Sequence, residues 1–221
     1  MIDQIKKVIF IHIPRTSGES ITRLFDFHTD HLGIGDGKHD NFKIMSKEID
    51  NINDYYLFTS IRSPYTRIVS LFNRIKFKSK KLDISFRDWL DFLVEYFEYI
   101  PDDRGIDPIY NEKYSQHLGI GTGHRWLFNP QKSWIKGGEE KIKIFKMENF
   151  DKNIKQILKD TKLNIRQKYL TSNGYSICEN SSQFFYKNKT DIFEFKNIDD
   201  KSLEKIYNLY REDFDFFGYE K

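Results

Sequence analysis

The stretch VIFIHIPRTSGESITRLFDF, residues 8–27, changes character twice. Residues 8–13 are β-branched and aromatic with no polar alternation, which predicts a strand buried on both faces. Pro14 and Gly18 then bend the chain, and SITRLFDF predicts a helix beginning near Glu19. A buried strand, a tight loop and a helix in immediate succession are the building block of a parallel sheet. The block recurs farther along. YYLFTSI, residues 55–61, predicts another buried strand, Arg62-Ser63 a turn, and Pro64 the first position of a helix, where a missing amide hydrogen costs nothing. In that helix Ile68, Val69, Leu71 and Phe72 fall largely toward the core.

Outward from these blocks, SFRDWLDFLVEYFEYI at 85–100 predicts an amphipathic helix capped by Ser85, with Trp89, Phe92, Leu93, Tyr96 and Phe97 on one face. A polar, glycine-punctuated stretch from Pro101 to Gly138 is expected to be an insertion or a set of functional loops. KIKIFKM, residues 141–147, predicts a third strand and NFDKNIKQILKDT a helix after it. KSLEKIYNLYREDFDFFGY predicts one closing amphipathic helix stopped at Gly218. Strands alternating with helices predict an α/β fold, a mainly parallel sheet flanked by helices. At roughly 100 to 200 residues per domain, the 221 residues are expected to form a single domain, 1–221, with its loop insertion at 101–138.

Lys plus Arg is 36 against 33 for Asp plus Glu, a net charge of +3, which is not the strongly basic balance of a nucleic-acid binder. A small anionic ligand remains compatible with it. The single cysteine, Cys178, excludes an intrachain disulfide and a multi-cysteine zinc site and points to a reducing compartment, so a cytoplasmic location is expected. The apolar run after MIDQIKK ends at Pro14 with no small-residue cleavage site behind it, unlike a signal peptide. No stretch approaches the roughly 18 uncharged apolar residues of a membrane span.

In parallel α/β sheets ligands sit at the carboxyl ends of the strands, where loops turn into helices. By that rule Pro14–Ser20 and Arg62–Ser70 carry the chemistry. In the first segment the amides of Thr16, Ser17, Gly18 and Glu19 can point at one anion, while Arg15, Thr16, Ser17 and Ser20 add a fixed charge and hydroxyl donors. An ordinary capped turn explains that segment alone equally well. The Walker A pattern is absent: Gly37-Lys38 runs into His39, and Leu32 stands where the first glycine belongs. Gly119, Gly121 and Gly123 are followed by His124 where a dinucleotide fingerprint needs its third glycine, so they read as loop. In the second segment Arg62 closes a buried strand, and Arg67, Ser70 and Arg74 follow at spacings that share one helix face. Arg62 and Ser70 suit one phosphate, the guanidinium as a fork and the serine as a donor. Taken alone, Arg67 and Arg74 read as a solvated helix face.

FIHIPRTSGESI (10–21) followed by FTSIRSPYTRIVSLFN (58–73) resembles the sulfotransferases that use 3'-phosphoadenosine 5'-phosphosulfate (PAPS), in particular the carbohydrate sulfotransferases related to the heparan sulfate 2-O enzymes. PQKSWI (130–135), FKMENF (145–150) and LYREDFDFFGY near the end are similar to that family too. The resemblance implies the sulfotransferase fold, with a P-loop-like parallel sheet, and PAPS as donor with adenosine 3',5'-bisphosphate as product. It assigns the 5'-phosphosulfate to Arg15, Thr16, Ser17, Gly18, Glu19 and Ser20, and the 3'-phosphate to Arg62 and Ser70. Two positions depart from the family's pattern. Its lysine is Arg15 here, which keeps the charge and changes its geometry, and its second small loop residue is Glu19, whose carboxylate must point away, cap the helix or touch the acceptor.

Sulfuryl transfer needs an in-line acceptor oxygen and neutralisation of the charge that develops on the leaving phosphate oxygen, and Arg15 with the loop amides suits the second need. A sulfonate carries less charge than a γ-phosphate, so a magnesium clamp is less necessary; no acidic metal box is visible and no metal is expected. His39, in GKHDNF, resembles the family's histidine at that place and is the candidate base, with His12 second. His28 and His31 have the spacing of a metal pair without further ligands. His117 and His124 read as loop residues. A carbohydrate hydroxyl is the expected acceptor by the resemblance, with Trp89, Tyr110, Tyr114, Trp126 and Trp134 as candidate stacking faces. A non-catalytic nucleotide-binding module of the same fold is the alternative, and an ATP-dependent kinase a more distant one.

Overall fold

The structure is a computed structural model, and it describes residues 1–25, 27, 39–78, 83–96, 125–166, 169–171, 174–175 and 192–221. Outside those residues lie His28, His31, Gly37, Lys38, Phe97, Tyr110, Tyr114, His117, the glycines 119, 121 and 123, His124, Cys178 and residues 101–124 of the expected insertion. The chain folds as two compact units, residues 1–62 with 134–190 and residues 63–133 with 191–221.

A four-stranded sheet organises the first unit. Its order is β1 (Ile2–Asp3), β2 (Val8–Ile11), β3 (Tyr56–Ile61) and β4 (Ile142–Lys146); β2, β3 and β4 run parallel, and β1 is antiparallel to β2. The register sets Phe10 beside Phe58 and Ile11 beside Thr59. Every residue of β2 is fully buried, as its unbroken apolar run requires. Because side chains alternate along a strand, Val8 and Phe10 from β2 and Phe58 from β3 share a face. They cluster there with Ile21 and Leu24 of α1 (Gly18–Leu24) and with Ile154 and Ile157 of α6 (Phe150–Thr161). The α/β architecture, a mostly parallel sheet flanked by helices, is therefore the one the strand and helix alternation predicts. β2 ends two residues sooner than the expected strand 8–13, with His12 and Ile13 outside its ladder, and α1 stops at Leu24 with extended backbone at Phe25. A short helix, α2 (Phe42–Glu48), starts where the Asn41 side chain accepts from Ile44 N at 2.9 Å.

The second unit is helical. Pro64 opens α3 (Pro64–Lys78), whose Ile68, Val69, Leu71, Phe72 and Ile75 pack with Phe86, Trp89, Leu90 and Leu93 of α4 (Phe86–Tyr96). Ser85 caps α4, its Oγ accepting from Asp88 N at 3.1 Å while donating to the Asp88 carboxylate at 2.7 Å. Residues 125–138, expected as loop, contain a 3-10 turn at Arg125–Phe128 and the helix α5 (Gln131–Ile135). Phe128 there is buried, as are Trp134 and Ile135, which belong to the first unit. The expected closing helix is two helices, α7 (Asp200–Leu209) and α8 (Arg211–Phe217), with the break at Tyr210 and a left-handed Gly218 ending the second. Tyr210 is fully buried and its hydroxyl donates to Phe128 O at 2.8 Å, so a tertiary anchor sits at the break.

Arg67 corrects the expectation of a solvated helix face. It is 1% exposed and donates to Asn129 O at 3.1 Å and Leu127 O at 3.0 Å. Beside it lies the equally buried Asp213, whose carboxylate accepts from Gln131 N and Lys132 N, each at 2.8 Å, at the start of α5. Burial pushes the Asp213 carboxyl up to about 6, against the pull of Arg67 and of those amides.

Candidate active site

The β2 to α1 loop is built from backbone conformations that sequence patterns do not announce. Arg15 and Ser17 both adopt φ of +68°, the left-handed region, on either side of Thr16. Two such residues cost on the order of 1–2 kcal/mol each, and hydrogen bonds converging on Thr16 offset that strain. Thr16 O accepts from the hydroxyls of Ser17 and of Ser60, which lies on β3. Thr16 Oγ1 donates to Ile13 O at 2.8 Å and sits 3.2 Å from Ser60 Oγ. Thr16 is fully buried, and its hydroxyl and that of Ser17 are hydrogen-bonded within the loop. Ser17 O accepts from Ser20 N and Ile21 N, so α1 begins with Gly18, Glu19 and Ser20 as its first turn. Glu19 lies in that turn with its carboxylate 3.5 Å from the Arg23 guanidinium.

His12 occupies the next position on the face that carries Val8 and Phe10. Its ring stacks on Phe10 at 5.6 Å between centroids and underlies Gly18. A Cβ at Gly18 would lie 1.8 Å from His12 Cδ2. The glycine is required by this close approach, and not by its backbone angles, so the reading of Gly18 as a bend residue is replaced by a packing reason. On the open side of His12 stands His39, with ring centroids 4.3 Å apart and its Nδ1 3.1 Å from His12 O. Trp134 packs against His39 in an edge arrangement at 6.4 Å. His39 is half-buried, and the next residue, Asp40, is fully buried. A strand end, an amide-lined turn and an imidazole are thus gathered at the carboxyl end of β2, the place where parallel sheets hold their ligands.

A family model described as the sulfotransferase family matches residues 1–220. The chain belongs to the sulfotransferase family. No curated protein and no solved structure matches it. In this sulfotransferase Arg15, Thr16, Ser17, Gly18, Glu19, Ser20 and His39 all belong to the first unit. Arg62 follows the last residue of β3 in that unit and is half-buried, whereas Ser70 is a buried residue of α3 in the second. Sequence reasoning passed over Ser60 and the role of Trp134. A serine closing the otherwise apolar face of a strand was the available signal for Ser60; Trp134 had none, because only folding brings it to His39. Trp89 and Trp134 are buried, so neither is the open stacking face expected for a sugar, while Trp126 is half-buried.

Gly18→Ala tests the loop geometry of the sulfotransferase. His12 is 3% exposed and held between Phe10 and His39, so the new methyl group has no soft neighbour to displace. The expected cost is about 1–3 kcal/mol of stability, read by chemical denaturation. Combining it with His12→Ala should recover part of that loss, and strictly additive losses would place the strain elsewhere.

Proposed function

We propose that this sulfotransferase takes its sulfuryl group from PAPS and delivers it to a hydroxyl of a carbohydrate or glycoconjugate. The observation that carries the reading is the placement of His39 over the turn from β2 into α1, its Nδ1 at 3.1 Å from the last carbonyl before the Ile13-Pro14 bend. The donor set fits the group: amides of Ser17, Gly18 and Glu19 with the Arg15 guanidinium suit a phosphosulfate, and hard-anion recognition of this kind needs no metal.

In this reading His39 takes the acceptor's proton as its oxygen attacks sulfur in line. The S–O bond to the 5'-phosphate breaks, and Arg15 with the loop amides neutralises the charge left on that phosphate oxygen. Adenosine 3',5'-bisphosphate departs with the electron pair. Arg62 and Ser70 hold the 3'-phosphate, on the strength of the Arg-x-Pro-x-x-Arg-x-x-Ser spacing they occupy. We place the reaction in the cytoplasm on the single cysteine; among the described residues no helix is long and apolar enough to cross a membrane.

Thermal shifts with adenosine 3',5'-bisphosphate, AMP, ADP and ATP test the donor class. At a hundred times its dissociation constant a ligand stabilises the fold by about 2.7 kcal/mol, and the 3'-phosphorylated nucleotide is expected to give that shift without magnesium. Calorimetry on variants then tests the 3' end. Arg62→Ala removes a charge-assisted contact of roughly 1.5–3 kcal/mol, weakening adenosine 3',5'-bisphosphate about ten- to a hundredfold. Ser70→Ala should cost less, and AMP binding should hardly change in either. A larger, magnesium-dependent shift with ATP would turn the reading toward a kinase, and equal losses for AMP would remove Arg62 from the 3'-phosphate.

A further inference from the structure

Resting on the reading of His39 as the base, we propose that the His12 backbone carbonyl and the Trp134 ring are positioning groups that hold His39 in its Nδ1–H tautomer, leaving Nε2 as the nitrogen that accepts the acceptor's proton. The argument starts from hydrogen-bond chemistry. A carbonyl oxygen only accepts, so a bond between His12 O and His39 Nδ1, 3.1 Å apart, requires the proton on Nδ1. In a neutral imidazole the other nitrogen is then the basic one. His12 O is itself immobile. It belongs to a residue whose ring is packed between Phe10 and His39 and beneath Gly18, one step beyond the parallel pairing of β2 with β3.

The Nδ1 bond by itself would let the imidazole pivot about that nitrogen. Two ring contacts remove that freedom. The His12 ring lies at 4.3 Å with the planes tilted by 43°, and the Trp134 ring meets His39 at 6.4 Å and 75°. Trp134 is 3% exposed, so it is a fixed wall. The direction of Nε2 is therefore set by β2 and α5 together, and a general base misdirected by a fraction of an ångström loses much of its rate.

Long-range proton–nitrogen correlation spectra of the full chain labelled with nitrogen-15 histidine read the tautomer directly, His39 being assigned by the signal lost in His39→Gln. The expected spectrum of the neutral ring shows Nδ1 protonated and Nε2 bare. Trp134→Leu should raise the Nε2–H fraction and lower kcat by about tenfold, a part of the roughly 100- to 10,000-fold a proton-transfer residue commands, while adenosine 3',5'-bisphosphate binds as before. Trp134→Phe, which keeps a ring against His39, should restore most of the rate. An Nε2–H signal in the wild type would overturn the proposal, as would a Trp134→Leu variant whose tautomer and kcat are both unchanged. Full turnover in His39→Ala, with the Nδ1–H signal present in the wild type, would be a different result: it would overturn the base role and leave the tautomer assignment standing.

Discussion

Replacing His39 with alanine should lower turnover by roughly 100- to 10,000-fold, about 2.7–5.4 kcal/mol of barrier, the usual range for a positioned general base. The variant should still bind adenosine 3',5'-bisphosphate, because His39 contacts the β2 carboxyl end through His12 O and is not itself part of the Arg15–Ser20 turn. Single-turnover kinetics separate the two effects, since KM equals a dissociation constant only when chemistry is slow. A loss of affinity matching the loss of rate would mean that His39 supports the turn. Near-full turnover would send the base role to Glu19 or His12. His12 is the poorer candidate of those, being almost wholly buried against Phe10 and Gly18.

Asp213→Ala should destabilise the second unit by about 3–5 kcal/mol, the cost of removing one member from a buried charged arrangement. The substitution strips the α5 amides of Gln131 and Lys132 of their acceptor and leaves the buried Arg67 without its facing carboxylate. Asp213→Asn is the more informative variant because it removes the titration and keeps one of the two acceptor oxygens. Burial raises the folded-state carboxyl from 3.8 to about 6. A carboxyl raised on folding contributes stability that is complete below the unfolded value and is lost as pH climbs through the folded one. The stability of the wild type relative to Asp213→Asn should therefore fall by up to about 3 kcal/mol between about pH 3 and pH 7, at 1.36 kcal/mol per pK unit, as read by urea denaturation across that range. A flat difference would mean that Arg67 and the amides hold the carboxyl ionised throughout.

Local patterns were sufficient for several elements. The largely apolar, β-branched and aromatic runs at 8–13 and 55–61 suit strands inside a sheet, and β2 and β3 are there, parallel and buried. Pro64 and Ser85 carried the starts of α3 and α4 in their own side-chain chemistry. The turn from Pro14 to Ser20 was legible as a candidate site, since loops that lead from a buried strand into a helix are where parallel sheets hold ligands.

What the sequence by itself determined, then, is each feature whose cause lies within a few residues: the two strand-turn-helix blocks, their parallel sheet and the position of the turn at Pro14–Ser20. Tertiary structure alone decided features whose cause lies far along the chain. Arg67 is buried because the carbonyls of Leu127 and Asn129 take its guanidinium, and α7 breaks from α8 where the buried Tyr210 reaches Phe128. The Thr16 backbone is fixed by Ser60 from the neighbouring strand, and Gly18 is obligatory because the His12 ring fills the space a side chain would need. His39 and Trp134 meet only once the sheet has formed. No periodicity or motif records such contacts, because each depends on which surface another segment presents after folding.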